Sequence, residues 1–407
     1  MRRRWLRGET MGVATVVATR ASAPRSAGAK MMVAADGSVL GSVSGGCVEA
    51  AVYELAREVR ADGAARLQRF GPPDDDVAVG LTCGGTIDVF VERISRDSYP
   101  EFGEVIGRRR DPIVVATTIR ADEPARVGRR LIVRPDSLSG TLGSARTDAD
   151  VARAGRRMLI VGEPTVLRCQ ESADELEIFI SAHRAPARMI VFGAIDFAAA
   201  TAGIGAFLGY HVTVCDARPV FATPARFPVA DEVVVQWPHR YLRAERDAGR
   251  LDHRTVLVAL THDPKFDVPL LQLALRDDGW VQRPAYIGAL GSRRTQAERA
   301  ERLREIGLTE RELGRLRAPV GLDLGAVTPE ETAVSIAAEI IADRRGRDGG
   351  RLTAITVPIH PSAGAPQSAR QASPADAPSG HDAHRNSEYA QFVPNPGLTD
   401  QRTFVEA

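Results

Sequence analysis

The sequence predicts an α/β protein: an N-terminal α+β region carrying a degenerate internal repeat, followed by a Rossmann-like doubly wound parallel sheet. Three observations lead there. Short apolar segments of strand length surround one helix pattern in the first 95 residues. A second set of the same signals recurs 100 residues later. Beyond residue 187, short apolar strands alternate with helical patterns, as expected of βαβ units.

In the first region, residues 1–95, alternating apolar segments at Ala14–Ala18, Met31–Ala34 and Ile87–Val91 read as strands, and a helix pattern runs from Cys47 to Arg60. Two glycine–cysteine loops stand out: Ser42-Val43-Ser44-Gly45-Gly46-Cys47-Val48-Glu49 and Gly80-Leu81-Thr82-Cys83-Gly84-Gly85-Thr86. Paired glycines let the backbone approach a ligand and present bare N–H groups. The adjacent thiols add a soft ligand or nucleophile, and a helix start at Gly46-Cys47 would favour an anion and acidify the thiol. The competing reading is that both cysteines are small residues packed beside glycine.

The second region, residues 96–186, resembles a worn copy of the first. Arg20-Ala21-Ser22-Ala23-Pro24, Gly28, Val33 and Asp36 align with Arg120-Ala121-Asp122-Glu123-Pro124, Gly128, Val133 and Asp136 at a constant offset of 100. Leu176–Ile180 resembles Ile87–Val91. The copy has neither Gly-Gly-Cys nor Cys-Gly-Gly, which places the chemistry in the first copy.

The third region, residues 187–350, reads as strands at Met189–Phe192, Val212–Cys215, Val233–Val235, Val256–Leu260 and Ala285–Ile287 with helices between them. Gly193-Ala194-Ile195-Asp196-Phe197-Ala198 fits the first and third positions of a dinucleotide fingerprint, but Ile195 stands where a second glycine should let the backbone reach a pyrophosphate. Asp216, ending the second strand, is placed for a ribose hydroxyl. His262 beside Asp263 forms a candidate acid/base pair, with a hydrogen-bonded loop residue as the plainer reading. Arg293 and Arg294, after Gly288-Ala289-Leu290-Gly291-Ser292, suit a phosphate or a solvated helix start. The last helix opens on Thr328-Pro329-Glu330-Glu331, a capping box with proline at its first position, and carries Ala333, Ile336, Ala337, Ile340 and Ile341 on its apolar face. Residues 351–407, rich in Pro, Ser, Ala and Gly without periodicity, read as a disordered tail.

Composition narrows the function classes. The 407 residues are 44% hydrophobic and 26% charged, an ordinary globular balance, and a net charge of +1 argues against nucleic acid as the ligand. Four cysteines are too few for a disulfide framework and point to reduced thiols in the cytoplasm. The basic start MRRRW is followed by an apolar run broken at Arg20, Pro24 and Arg25, so no signal peptide is expected, and no stretch is apolar enough for a membrane span.

Several long motifs in one order carry a family resemblance: GSVSGGCVE (41–49), GLTCGGTIDVFVE (80–92), VFGA, THD, YIGALGSRR (286–294) and GLDLGAVTPEETAVSIAAEI (321–340). Over about residues 10–95 and 187–345 the chain resembles the XdhC/CoxI family, accessory proteins of molybdenum hydroxylases such as xanthine dehydrogenase and carbon monoxide dehydrogenase. The resemblance implies a chaperone that binds the molybdenum cofactor (molybdopterin), protects it while a cysteine desulfurase installs its terminal sulfur, and delivers it to the hydroxylase large subunit. The residues whose chemistry is compatible with holding that cofactor are Gly45, Gly46, Cys47, Glu49, Cys83, Gly84, Gly85, Gly193, Asp216, His262, Arg293 and Arg294, and Cys47 or Cys83 could meet molybdenum or relay sulfur. Family members usually read GAGHVA where this chain has Gly193–Ala198, and carry a histidine before the proline that here follows Ala318. These departures disfavour NAD(P) binding. An NAD(P)-dependent oxidoreductase and an assembly scaffold without cofactor remain the alternatives. A homodimer would suit such a carrier, although no residue pattern specifies one.

Overall fold

The computed structural model describes residues 1–21, 23, 25–71, 81, 84–107, 112–160, 162–171 and 174–354, all within one compact unit spanning residues 1–365. The tail expected from residue 351 lies outside the described residues from 355 onward.

A short helix α1 (Arg2–Leu6) leads into β1 (Met11–Arg20), β2 (Lys30–Val33) and β3 (Val39–Gly41). Helix α2 (Glu49–Asp62), β4 (Arg66–Phe70) and β5 (Thr86–Ile94) follow. The strands form an antiparallel sheet in the order β3-β2-β1-β5-β4. After α3 (Phe102–Val105), the same path is drawn again by β6 (Ile113–Arg120), β7 (Arg130–Val133), β8 (Leu138–Gly140), α4 (Ala145–Ile160), β9 (Thr165–Glu171) and β10 (Asp174–His183). The second sheet runs β8-β7-β6-β10-β9, the first order shifted by five. The 100-residue offset in sequence is thus a repeat of supersecondary structure.

The repeats pack as four layers: helix, sheet, sheet, helix. Side chains alternate across a strand, so Ala14 and Val16 of β1 face Val52, Ala56 and Val59 of α2, while Met11 and Val13 face the other sheet. A Cβ at Gly12 would collide with the Ala56 carbonyl, so glycine is what lets α2 lie this close to β1. In the second repeat, α4 covers Val114, Ala116 and Ile178 in the same way. Between the sheets, Val17, Phe90, Ile119 and Phe179 form one cluster. Val17 and Ile119 each sit at a bulge in equivalent pairings, β1 with β5 and β6 with β10, so matching residues of the two copies meet across the interface. Each such fully buried side chain contributes about 1.5–3 kcal/mol.

The remaining chain supplies β11 (Arg188–Phe192), α5 (Asp196–Phe207), β12 (His211–Asp216), β13 (Glu232–Val235), α6 (Pro238–Asp247), β14 (Val256–Ala259), α7 (Pro264–Leu275), β15 (Tyr286–Ala289), α8 (Arg293–Glu305), α9 (Glu310–Leu313), β16 (Leu316–Arg317) and α10 (Pro329–Arg345). The six strands are parallel in the order β13-β12-β11-β14-β15-β16, the 3-2-1-4-5-6 arrangement of a dinucleotide-binding sheet. One face packs against α5 and α10, the other against α6, α7 and α8. The capping box of α10 forms as expected: Thr328 Oγ1 accepts from the Glu331 N–H and Glu331 accepts from the Thr328 N–H. Ala333, Ile336, Ala337 and Ile340 are buried. Ile341 is not; it is 47% exposed, and the next core-facing position is taken by Ala342, at 8%.

Candidate functional site

The Gly-Gly-Cys loop is a turn built around the chain's own Glu49. Its Oε1 accepts from Ser42 Oγ (2.7 Å), Val43 N (3.3 Å), Ser44 N (2.9 Å) and Gly45 N (2.8 Å). Its Oε2 accepts from Ser44 Oγ and Gly46 N (2.7 Å). Burial opposes ionisation, but the Ser44 and Ser42 hydroxyls and the Ser44 and Gly45 amides outweigh it and hold the carboxyl well below the ordinary glutamate range. The amides of Gly45 and Gly46, expected to meet a ligand anion, therefore point inward at a resident carboxylate. For the same reason α2 does not begin at Gly46-Cys47. Gly45 (φ +84°) and Gly46 (φ +133°) adopt non-helical backbone to close the turn, and the helix starts at Glu49.

What the loop turns outward is the Cα face of both glycines. A Cβ at either position would meet nothing within 4 Å. Cys47 is half-buried at the edge of the core under α2 and is not in a disulfide. Cys83 and Thr82 lie outside the described residues, as do residues 72–80. Leu81, two residues before Cys83, is buried in the same core as Val43 and Val48. Both loops are thus anchored on one core. Gly84 is at φ +72° with open space beside it, its N–H bonded to the Leu81 carbonyl at 3.2 Å, and Gly85 follows it at the entrance to β5.

The other candidates gather at the carboxyl ends of the parallel strands. Gly193 (φ +113°) ends β11 where the strand order reverses, and a Cβ there would lie 3.1 Å from Thr261 Cγ2. Asp216, expected to face a ribose, is buried instead. It accepts from Ala194 N (2.7 Å), Arg218 N (2.9 Å), Arg218 Nε (2.9 Å) and Arg218 Nη2 (2.8 Å). Burial works against its charge, but Arg218 and the two amides hold the carboxyl below its usual range. Arg226 closes the turn from the other side, donating to the Ala194 carbonyl (3.1 Å) and pairing with Asp196 (3.3 Å). Ile195, at the missing second glycine, is the N-cap of α5 and packs on the core. The carboxylate that would hold a ribose and the amide that would meet a pyrophosphate are bonded to each other.

His262 is exposed, and Asp263 is not its partner: Asp263 caps α7 through the Lys265 N–H (3.0 Å) and pairs with Lys265 Nζ (3.0 Å). The expected acid/base pair is a helix cap. Arg293 and Arg294 open α8 exposed, behind Ser292 as N-cap, and Arg294 pairs with Glu298 at 3.0 Å.

Two buried arginines escaped the sequence reading. Arg299 bonds Asp267 (3.0 Å) and the Leu290 carbonyl (2.8 Å), while Asp267 also accepts from Thr261 Oγ1; together they tie the loop after β14 to the loop after β15. Its spacing from buried Leu303, i to i+4 within a charged run, was the available signal. Arg126, in the second repeat, pairs with Glu171 and with Asp174 (3.0 Å) and donates to the Leu142 carbonyl (3.1 Å). No local pattern marks it. Among the described residues, no group of three or more His, Cys, Asp or Glu side chains is arranged to hold a metal ion.

Comparison with known proteins agrees with this layout. The XdhC and CoxI family profile matches residues 4–71 and 107–170, and the XdhC Rossmann domain profile matches residues 189–340. The chain is 28% identical over 337 residues to a protein of Escherichia coli (strain K12) named molybdenum cofactor insertion chaperone PaoD, covering 83% of this chain and 84% of that one. It is 29% identical over 339 residues to a Bacillus subtilis (strain 168) protein named as a probable xanthine dehydrogenase subunit, covering 82% and 93%. A crystal structure described as a xanthine dehydrogenase from Bacillus halodurans shares the fold, with a TM-score of 0.63 at 24% identity, covering 84% of this chain and 93% of that chain.

Proposed function

The chain belongs to the XdhC and CoxI family, and on that premise we propose that it is a maturation factor for a molybdenum hydroxylase. It binds the molybdenum cofactor, shields it while a cysteine desulfurase installs the terminal sulfur, and hands it to the hydroxylase large subunit. Relatives named for cofactor insertion and for xanthine dehydrogenase support the cargo and the recipient class.

The observation that carries the reading is the Glu49-pinned turn. Six donors converge on one carboxylate, so the loop is rigid before any ligand arrives. Rigidity fixes Cys47 at the loop's end and keeps the bare faces of Gly45 and Gly46 outward, where a flat ligand can lie against backbone. The residues present fit the cargo by their softness: the cofactor brings a dithiolene-held metal, and thiolates are the side chains that suit such a centre. Cys47 would contact the metal or its sulfur, with Cys83 of the second glycine–cysteine motif as the second candidate thiol. Glu49 acts through the turn and is a positioning residue. Gly84 and Gly85 play the part that Gly45 and Gly46 play on the first loop.

An NAD(P)-dependent role is disfavoured by the bonding of Asp216 to Ala194 and Arg218. No helix among the described residues is long and apolar enough to cross a membrane.

The test is cofactor retention. The full chain is mixed anaerobically with molybdenum cofactor released from a molybdoenzyme, desalted, and its metal counted. About one molybdenum per chain is expected, falling at least about fivefold in Cys47→Ala and in Cys83→Ala at unchanged melting temperature. Retention unaffected by both substitutions, or NADH bound in place of any molybdenum, overturns the reading.

A further inference from the structure

A cleft of about 490 Å³ lies between α4 and the amino ends of β11, β14 and β15, at the opposite end of the parallel sheet from Asp216 and Arg293. Its size is that of a small-molecule site. Three guanidinium groups line it: Arg156 from α4, Arg184 from the segment joining β10 to β11, and Arg254 from the loop before β14. Among the described residues the lining holds one carboxylate, Asp252, which is already committed to Arg254 through contacts of 2.9 and 2.7 Å. Two positive charges are left facing the space.

Arg184 is the less comfortable of the two. Its Nη2 donates to the Met158 carbonyl, while its Nε is buried without a hydrogen-bond partner among the described residues. Burial, then the neighbouring Arg254, lowers the affinity of this guanidinium for its proton, with Asp252 opposing them, so an anion alongside it would add to the one carboxylate it already feels. His253 lies beside them, its Nδ1 3.0 Å from Gln282 Oε1, which fixes the ring at the cleft wall. Pro135 and Leu159 form an apolar wall. Guanidinium groups set among apolar side chains, with Arg156 and Leu159 three residues apart on one face of α4, suit an anion carried on a larger body.

We propose that this cleft binds a phosphorylated small molecule of mononucleotide size, its phosphate held by Arg156 and Arg184 and its body lying against Pro135 and Leu159. The site goes beyond the cofactor-carrying reading and shares no residue with the Gly-Gly-Cys loop, so it can fail without touching that reading.

Calorimetric titration of the full chain tests it with three probes: adenosine 5′-monophosphate, inorganic phosphate and adenosine. The monophosphate binds more tightly than phosphate, and adenosine does not bind. Arg184→Gln and Arg156→Glu each weaken the monophosphate at least about tenfold at unchanged melting temperature. Arg156 is exposed, so its substitution tests the site even where loss of Arg184 disturbs packing. Arg153→Glu, one turn earlier on α4, leaves binding unchanged. The proposal is overturned if neither phosphate probe binds up to about 1 mM, if Arg156→Glu has no effect, or if Arg153→Glu weakens binding as much.

Discussion

The two N-terminal repeats share every strand and differ in their loops. In the first, the loop Gly41–Glu49 wraps six donors around Glu49. In the second, Gly140–Asp148 follows the same path. At Gly41 (φ +86°) and Gly140 (φ +80°) a Cβ would collide with a carbonyl, of Lys30 and of Arg130, and Asp148 accepts from Thr141 Oγ1 (2.7 Å) and Leu142 N (2.7 Å) as Glu49 accepts from Ser42 and Val43. One methylene shorter, Asp148 shows only those two loop bonds among the described residues. Arg146 stands where the first copy has Cys47. The long connection from β4 to β5 becomes a tight hairpin from β9 to β10, and Arg126 fills the space beneath it, gripped by Glu171 and Asp174. The same scaffold can thus hold a Glu49-pinned loop bearing Cys47 or a counterpart beside an arginine locked by ion pairs. Topology is shared; a handful of loop residues separates a site from a strut.

That contrast can be broken most sharply at Arg126. Arg126→Met removes a nearly buried cation from between two carboxylates and is expected to cost about 3 kcal/mol, a large fraction of a domain's stability, measured by denaturant unfolding. Molybdenum retention should not change. An equal loss of retention would mean that the second repeat belongs to the site.

The next effect is at the loop carboxylates. Glu49→Ala is expected to cost about 2 kcal/mol and Asp148→Ala about 1 kcal/mol, following the number of donors each leaves unmet. The sign of the pH effect follows from the depressed carboxyl of folded Glu49. Its contribution is full above about pH 4.5 and is lost as the pH falls below that value, because the unfolded chain then binds a proton that the folded chain resists. Acid melts of Glu49→Gln should fall less steeply than wild type; parallel curves would show that the six hydrogen bonds do not favour the charged form.

The smallest effect tests the seam between the repeats. Arg130 stacks on Tyr99 (4.1 Å) and pairs with Glu92, whereas its counterpart Lys30 donates to the Thr15 hydroxyl at 2.9 Å. Burial first, and Arg130 second, pull the Lys30 amine down to about 8. A lysine lowered on folding destabilises the fold while it is charged, so stability from this group rises between about pH 8 and 10.5. Lys30→Met should be the more stable protein at pH 7.5, with the difference in melting temperature shrinking as the pH climbs through that window. A difference that does not vary with pH would place Lys30 in contact with water.

Much of the fold is legible in the residues. The alternation after residue 187 and the terminal capping box are local signals, and the repeat shows itself at a fixed offset because turn glycines and prolines are needed wherever the chain makes the same turns. The site is legible only in outline. Gly45 and Gly46 are needed for a turn at positive φ, but their pattern suggests amides aimed outward at a ligand, whereas Glu49 is the acceptor. Asp216 has the position of a ribose-binding acid and spends it on Ala194 and Arg218. Arg299, in a run that looks solvated, is buried.

By itself the sequence determined the central strands and first helix of the first repeat, the duplication, the parallel sheet and the two loops in which chemistry can occur. All of these follow from periodicity, backbone freedom and spacing along the chain. Only the tertiary structure decided which charge each buried carboxylate and guanidinium answers: Glu49 to its own loop, Asp216 to Arg218, Asp267 to Arg299, and Arg126 to Glu171 and Asp174. Those choices are made between groups up to tens of residues apart, and a buried charge must take whichever partner packing brings within reach.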